Sequence, residues 1–276
     1  MASGTVLVTG ASTGIGEATV LHLRELGFEP VAGVRKDEDA ERLGRSGIRS
    51  VRLDVTDADQ IAAVRAELGE GALAGLVNNA GIAVASPIEF LPVEQLRRQL
   101  EINLIGQVAV TQALLPALRR ARGRVVNISS IGGRVALPLL GAYNMSKFGL
   151  EAFSDVLRRE LRSQGVDVIA IEPGGIKTHI WRKGGEVADE ILAGTTAEGQ
   201  ELYGPMVAAV RKESANIEQV RGLPPRAVAE VIGTALTADR PRARYVVGKD
   251  AKARAMLARV VPDRVMDRLI GRALGG

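Results

Sequence analysis

Cysteine is absent from the 276 residues of this chain. That excludes disulfides, thiolate catalysis and cysteine-ligated metals. Histidine occurs only as His22 and His179, too few for a typical His-based metal cluster. His22 falls inside the first helical pattern and reads as a structural or surface residue. Aromatic residues make up 3% of the chain and leave few platforms for base stacking, which argues against a nucleic-acid partner. No stretch of 18 apolar residues is present to cross a membrane. Met1-Ala2-Ser3-Gly4 leads straight into a strand pattern, without the charged-then-apolar run of a secretion signal. These absences lead us to expect a soluble, cytoplasmic protein.

Charge excess is also small. The formal net charge of +4 resides in residues 251–276, where six cations face two acids. The same stretch spaces Met256, Leu257, Val260, Val261, Val265, Met266, Leu269 and Ile270 by threes and fours around Pro262. Two short amphipathic helices are expected there. Their apolar stripe is read as docking on the domain body, with an anionic lipid surface as the alternative, peripheral partner.

Hydrophobic residues are plentiful, at 46%. Short apolar runs alternate with longer helical patterns, the mark of a parallel sheet covered by helices on both faces. Strands are expected at 5–8, 30–34, 49–53, 75–77, 124–128, 167–171 and 245–247. Helices are expected at 14–26, 58–68, 93–121, 143–164 and 226–237. Gly27 and Gly165 suit C-terminal caps, Asp57 an N-cap and Pro92 a helix start. No linker or shift in composition divides the chain, so 1–276 is read as one α/β domain. Residues 179–225 interrupt the alternation with glycines, prolines and apparent short helices. Such an excursion is a functional lid or a mobile insertion. Its Ile180, Trp181, Ile191, Leu192, Tyr203, Met206 and Val207 either line an apolar pocket or pack the excursion onto the body.

The first strand pattern runs into Gly10-Ala11-Ser12-Thr13-Gly14-Ile15-Gly16 and then a helical pattern. Spaced glycines between strand and helix allow a tight turn and close backbone approach to a pyrophosphate at the helix N-terminus. Farther on, Ser130 precedes Tyr143 by thirteen residues and Lys147 by seventeen. On a helix, Tyr143 and Lys147 share a face. An ammonium held there favours the phenolate and is expected to lower the tyrosine pKa from about 10, making the phenol an acid or base near neutrality. A serine-nucleophile reading fails: neither histidine has a triad context, and Ser130 lacks the G-x-S-x-G elbow.

Taken together, these residues resemble the short-chain dehydrogenase/reductase family over most of the chain. The resemblance extends through Leu53-Asp54-Val55, Asn78-Asn79-Ala80-Gly81, Asn103, the Ser130–Tyr143–Lys147 trio and Pro173-Gly174 with Thr178 beyond. It implies a single-domain Rossmann fold, a doubly wound seven-stranded sheet with a substrate lid over 179–225. It further implies that Gly10, Ser12, Thr13, Gly14, Ile15 and Gly16 hold the cofactor phosphates. Asp54 would meet the adenine edge beside the Val55 backbone, Asn79 would belong to the cofactor wall, and Ile176 and Thr178 would reach the carboxamide. Asn103, Ser130, Tyr143 and Lys147 would form the catalytic set. There Tyr143 transfers the proton, Ser130 steadies the substrate oxygen and Lys147 also grips the nicotinamide ribose. Asn103 would shape a helix bend and support a water-mediated relay to Lys147.

The second strand ends in Val34-Arg35-Lys36. NAD sites place an acid there for the ribose 2′-hydroxyl, whereas a guanidinium suits a 2′-phosphate. Arg35 therefore points to NADP over NAD, although Asp37 could slide back into the acidic role. Within the family, the Val-Arg pair, the lid length and the ending 244–252 are similar to the retinol dehydrogenase and 17β-hydroxysteroid dehydrogenase branch. That similarity implies an NADP(H)-dependent oxidoreductase for a lipophilic secondary alcohol or ketone, or a retinoid-like alcohol. The alternative is an NADP(H)-sensing regulatory protein without turnover. The patterns at 93–121 and 143–164 correspond to helices that pair in family homodimers and homotetramers.

Overall fold

The computed structural model describes residues 3–273. Seven parallel strands form one sheet: β1 (Thr5–Thr9), β2 (Glu29–Val34), β3 (Arg49–Arg52), β4 (Leu73–Asn78), β5 (Arg124–Ile128), β6 (Asp167–Pro173) and β7 (Arg244–Val247). Their spatial order is β3-β2-β1-β4-β5-β6-β7. Each expected strand is present, with ends moved by one or two residues. Successive side chains point to opposite faces, and both faces are covered. Val6 and Val8 join Val77, Val126, Ile169 and Ile171 in one core, while Leu7 joins Val31, Leu76, Val125 and Val168 in the other. The strands are therefore nearly continuous apolar runs.

The first face carries α1 (Gly14–Glu25) and α9 (Pro225–Thr237), which pack against one another. The second carries α3 (Ala58–Leu68), α5 (Gly106–Ala121) and α6 (Gly141–Glu160). The Asp57 side chain caps α3 by accepting from the Asp59 and Gln60 amides. Gly27 and Gly165 follow helical segments with φ of +95° and +73°, where glycine alone is unstrained. The sheet direction of chain travel reverses between β1 and β4, and ligands of such folds lie beyond the strand ends at that crevice.

Three departures from the sequence reading have physical causes. A helix not expected at all, α2 (Asp37–Arg45), buries only Leu43. Its eight other residues give no apolar stripe to detect. The expected helix over 93–121 is instead α4 (Val93–Leu100), a π turn (Glu101–Ile105) and α5, with Asn103 buried in the π turn. The π turn widens the helix where its amides reach across to the loop after β4. The 179–225 excursion contains long helices, α7 (Ile180–Ala193) and α8 (Ala197–Asn216), rather than short ones. Gly184 sits inside α7 because a Cβ there would lie 2.6 Å from the Ala83 carbonyl oxygen. The glycine marks close packing, not a break.

At the C-terminus, α10 (Lys249–Val260) seats Ala251 and Ala255 against Ile131. Met256 and Val260 face outward at 70% and 73% exposure. The last element, α11 (Asp263–Ala273), leaves Val265 and Leu269 exposed.

Candidate active site

A cleft of about 390 Å³ opens beyond the C-terminal ends of β1, β2, β4 and β5. One end is the glycine turn after β1. Asn79 ties this turn to β4: its side-chain nitrogen donates to the Thr9 and Gly10 carbonyls at 2.9 and 3.0 Å. Thr9 Oγ1 accepts from the amides of Asn79 and Ala80, both at 2.9 Å. The turn consequently presses on its neighbours. Gly10 has φ of +62°, and a Cβ on it would lie 2.7 Å from Ala80 Cα.

Ser12, Thr13, Gly14 and Ile15 line the cleft, whereas Gly16 lies beneath, where a Cβ would meet the Gly10 carbonyl and the Asn79 amide. The N-cap residue Thr13 makes no side-chain cap to α1, so the first-turn amides of α1 have no side-chain acceptor from it. Such amides, in a turn where glycine holds three of seven positions, fit a dinucleotide pyrophosphate. Arg42 on α2 holds this turn from outside, pairing with Glu17 and donating to the Ser12 carbonyl.

At the same end, Val34 occupies the position where an acid was considered, and Arg35 follows it on the cleft wall. The Arg35 side chain is 65% exposed and lies 3.8 Å from Asp54 Oδ2, so its guanidinium is available to a second anion. Asp37 opens α2 outside the cleft lining, near Arg52 at 3.6 Å. Asp54 also caps its own turn, accepting from the Thr56 amide and hydroxyl at 3.0 and 2.8 Å. Val55 adjoins it on the wall, and Ile176 and Thr178 close the opposite side.

The other end brings Ser130, Tyr143 and Lys147 together from the loop after β5 and the first two turns of α6. Ser130 Oγ accepts from the Gly132 amide at 3.0 Å, and its own hydroxyl hydrogen is directed toward Tyr143. Lys147 Nζ lies 5.7 Å from the Tyr143 ring centroid and donates to the Ile128 carbonyl at 2.8 Å. The expected lowering of the tyrosine pKa by Lys147 is corrected here. Burial pushes the phenol above its ordinary value, and the Ser130 hydroxyl pulls the other way. Desolvation governs because the ring is buried and the ammonium is turned to a backbone carbonyl. Burial likewise pushes Lys147 down to about 8, against the nearby Glu151 carboxylate.

Asn103 is not on the cleft wall. It stands behind the wall, pairing with both backbone groups of Ile82 at 2.9 Å and reaching Ser146 Oγ at 3.2 Å. Two neighbours missed in the sequence act alongside it. Gln99 accepts from the Val84 amide at 2.7 Å and donates to the Ile82 carbonyl at 2.8 Å, while Gln107 donates to the Ala80 carbonyl. Three buried amides at four-residue spacing thus hold the wall from Ala80 to Val84. The spacing itself was the available signal.

Trp181 of α7, one of the apolar residues of the 179–225 excursion, reaches the cleft. Its ring meets Tyr143 edge-on, with centroids 5.3 Å apart at 63°. A second, mostly apolar chamber of about 320 Å³ continues past Trp181 and Ala83 between the body and helices α7 and α8. Leu139, Leu140 and Val207 line it, and the Asp189–Arg211 pair bridges α7 and α8 at its edge. Among the described residues no cluster of three metal-ligating side chains occurs, and no helix is long and apolar enough to cross a membrane.

This arrangement of glycine turn, seven-stranded sheet and serine–tyrosine–lysine wall agrees with comparison to known proteins. The short chain dehydrogenase family model matches residues 4–188. The chain is 37% identical to the NADPH-dependent 3-dehydrocapnine reductase of Ornithobacterium rhinotracheale, covering 97% of this chain and 96% of the relative. It is 39% identical to retinol dehydrogenase 16 of Homo sapiens over 96% and 87% of the two chains. A short chain dehydrogenase from Burkholderia cenocepacia J2315, solved in complex with NADP, superposes with a TM-score of 0.75 at 25% identity. That match covers 97% of this chain and 96% of the other. The chain belongs to the short-chain dehydrogenase family. It is an oxidoreductase of that family, in the branch that includes retinol and 17β-hydroxysteroid dehydrogenases.

Proposed function

We propose that this protein is an NADP(H)-dependent oxidoreductase that interconverts a lipophilic secondary alcohol and its ketone, or a retinoid-like alcohol and aldehyde. The observation that carries this reading is the convergence of Ser130, Tyr143 and Lys147 at one end of a cleft whose other end is the glycine turn and Arg35. The NADPH-dependent relative and the NADP-bound structural neighbour support the cofactor.

When bound, the nicotinamide supplies or accepts the hydride at the carbonyl carbon. The chain's residues do the rest. Tyr143, whose neutral form burial favours, donates its proton to the substrate oxygen during reduction and becomes the phenolate; in oxidation the phenolate takes the alcohol proton back. Ser130 donates to the same oxygen while charge develops there. Lys147 would hold the ribose, and Asn103, which fixes the Ile82 wall, would support a water-mediated proton path toward Lys147. Arg35 would pair with the 2′-phosphate, Asp54 and Val55 would meet the adenine, Asn79 would belong to the cofactor wall, and Ile176 and Thr178 would reach the carboxamide. The apolar chamber under α7 and α8 receives the substrate body, so residues 179–225 serve as its lid.

The same reading extends to assembly. Ile105, at the end of the π turn just before α5, and Met145, Phe148 and Val156 on α6 are between 44% and 50% exposed. These helices pair between copies in a homodimer or homotetramer. Nicotinamide absorbance should be followed with NADPH, NADH and their oxidised forms across aliphatic, steroid and retinoid ketones and alcohols. Turnover of a lipophilic member with NADP(H) is expected. Tight NADPH binding without turnover of any member would mean a sensor in place of an enzyme.

A further inference from the structure

Behind the serine–tyrosine–lysine wall lies a chain of buried charges that the reaction above does not use. Glu172, the residue before Pro173 at the end of β6, is 0% exposed. Arg134, directly after the turn that carries Ser130, forms an ion pair with it: Nη2 donates to Oε1 at 2.7 Å, and Nε lies 2.7 Å from Oε2 without hydrogen-bond alignment. Arg244 at the start of β7 comes within 3.3 Å of Glu172 and donates to Glu151 Oε2 at 2.9 Å. Its other arm reaches Asp155 Oδ1 at 2.8 Å, where Arg158 also pairs. Glu151 stands one turn after Lys147 on α6 and is 8% exposed.

A hydrophobic sheet edge does not need this chain. Removing carboxylates from water costs several kcal/mol each before pairing offsets it, and packed apolar residues would commonly be as stable. Placement gives the cost a purpose. The chain begins on the loop bearing Ser130, crosses β6 and β7, and ends at Glu151, one helical turn after the buried Lys147 on the same face of α6. Within it Lys147, Arg134, Arg244 and Arg158 stand against Glu151, Glu172 and Asp155. Helix α4 and the π turn pack on the other side of α6, and there Arg98 and Glu101 are solvent-exposed. The 3-10 turn, β6 and β7 contribute Arg134, Glu172 and Arg244, and α6 itself contributes Tyr143. Glu151 is thus the buried carboxylate placed to act on Lys147.

We propose that Glu151 is a positioning residue of the reaction. Its carboxylate, fixed by Arg244, keeps the buried Lys147 in the ammonium form, and Glu172 and Arg134 tie that charge to the Ser130 loop. This rests on the role given to Lys147 above. In support, the nearby Glu151 charge opposes the burial that pushes Lys147 down to about 8.

Protein labelled with 13C at the lysine Cε can be titrated by NMR without cofactor, with the Lys147 signal assigned by its loss in Lys147→Arg. In Glu151→Gln the Lys147 midpoint should fall by about one pH unit or more, and in Glu151→Asp by less. The alkaline limb of kcat/KM should move down with it. At pH 8 the loss is about fivefold, with cofactor-saturated kcat recovering toward pH 6.5. An unmoved midpoint in Glu151→Gln, or in Glu151→Asp should the first variant not fold, overturns the proposal. Failure of the parent reading is distinguishable, because then Tyr143→Phe would retain turnover whatever Lys147 does.

Discussion

The Trp181 ring lies edge-on against Tyr143, 5.3 Å between centroids. A helix distant in sequence thereby covers the phenol that faces the cleft. Trp181→Ala should leave the Tyr143 proton available but open its surroundings to water and loosen the substrate chamber. We expect KM for bulky lipophilic substrates to rise about tenfold, the loss of one aromatic contact and part of its buried area. Small ketones should change little, and steady-state kinetics on both classes makes the comparison.

Tyr143→Phe removes the transferable proton and keeps the ring. Turnover should drop at least about a hundredfold, the typical worth of a general acid. NADPH affinity, read by fluorescence titration, should stay near that of the parent. Ser130→Ala should reduce mainly rate, and Lys147→Ala both rate and cofactor binding. Turnover of Tyr143→Phe near the parent value would refute the assignment.

Arg35 is half free of Asp54, at 3.8 Å, and its loss removes a charge-assisted contact to a 2′-phosphate. That is about 1.5–3 kcal/mol, or roughly ten- to hundredfold in NADPH affinity, with NADH little affected. Val34→Asp should move preference the same way by supplying an acceptor for the 2′-hydroxyl. An NADPH/NADH affinity ratio unchanged in both variants would show the discriminating residue to lie elsewhere, with Arg42 the next candidate.

Lys147 has a folded pKa near 8 against an ordinary value of 10.5. Between those values the unfolded chain binds more protons than the native one, so stability from this group rises with pH. Below pH 8 the full penalty of the buried ammonium is present. Lys147→Met should therefore raise the melting temperature at pH 7, and its advantage should shrink as pH climbs from 8 toward 10.5. A constant difference across that window would show that Lys147 is not a depressed, buried ammonium.

Removal of residues 251–276 takes away Ala251 and Ala255, which pack against Ile131 beside the Ser130 loop. A lower melting temperature and poorer turnover of bulky substrates are expected, with little vesicle binding by the intact protein. The outward Met256 and Val260 and the arginines of α11 define the opposing outcome. Salt-sensitive binding to anionic vesicles, lost on truncation while melting temperature and activity persist, would make the tail a lipid contact.

Much of this protein was already written in local pattern. Strand runs and helical stripes are short-range consequences of covering both faces of a sheet, so all seven strands could be read directly. The glycine turn and the Tyr143–Lys147 spacing are likewise set within one turn of chain. What needed tertiary structure was anything decided by an environment assembled from distant segments. Helix α2 buries one leucine and has no periodic signature, so only its packing reveals it. The amides of Gln99, Asn103 and Gln107 gained meaning once the loop after β4 was found against them. The sign of the Tyr143 shift turned on burial by residues remote in sequence, Trp181 among them. Likewise the pairing of Arg134, Glu172, Arg244 and Glu151 joins four positions spread over 110 residues of chain. Local spacing can place two side chains on one helix face, but desolvation and long-range charge depend on which other segments close around them.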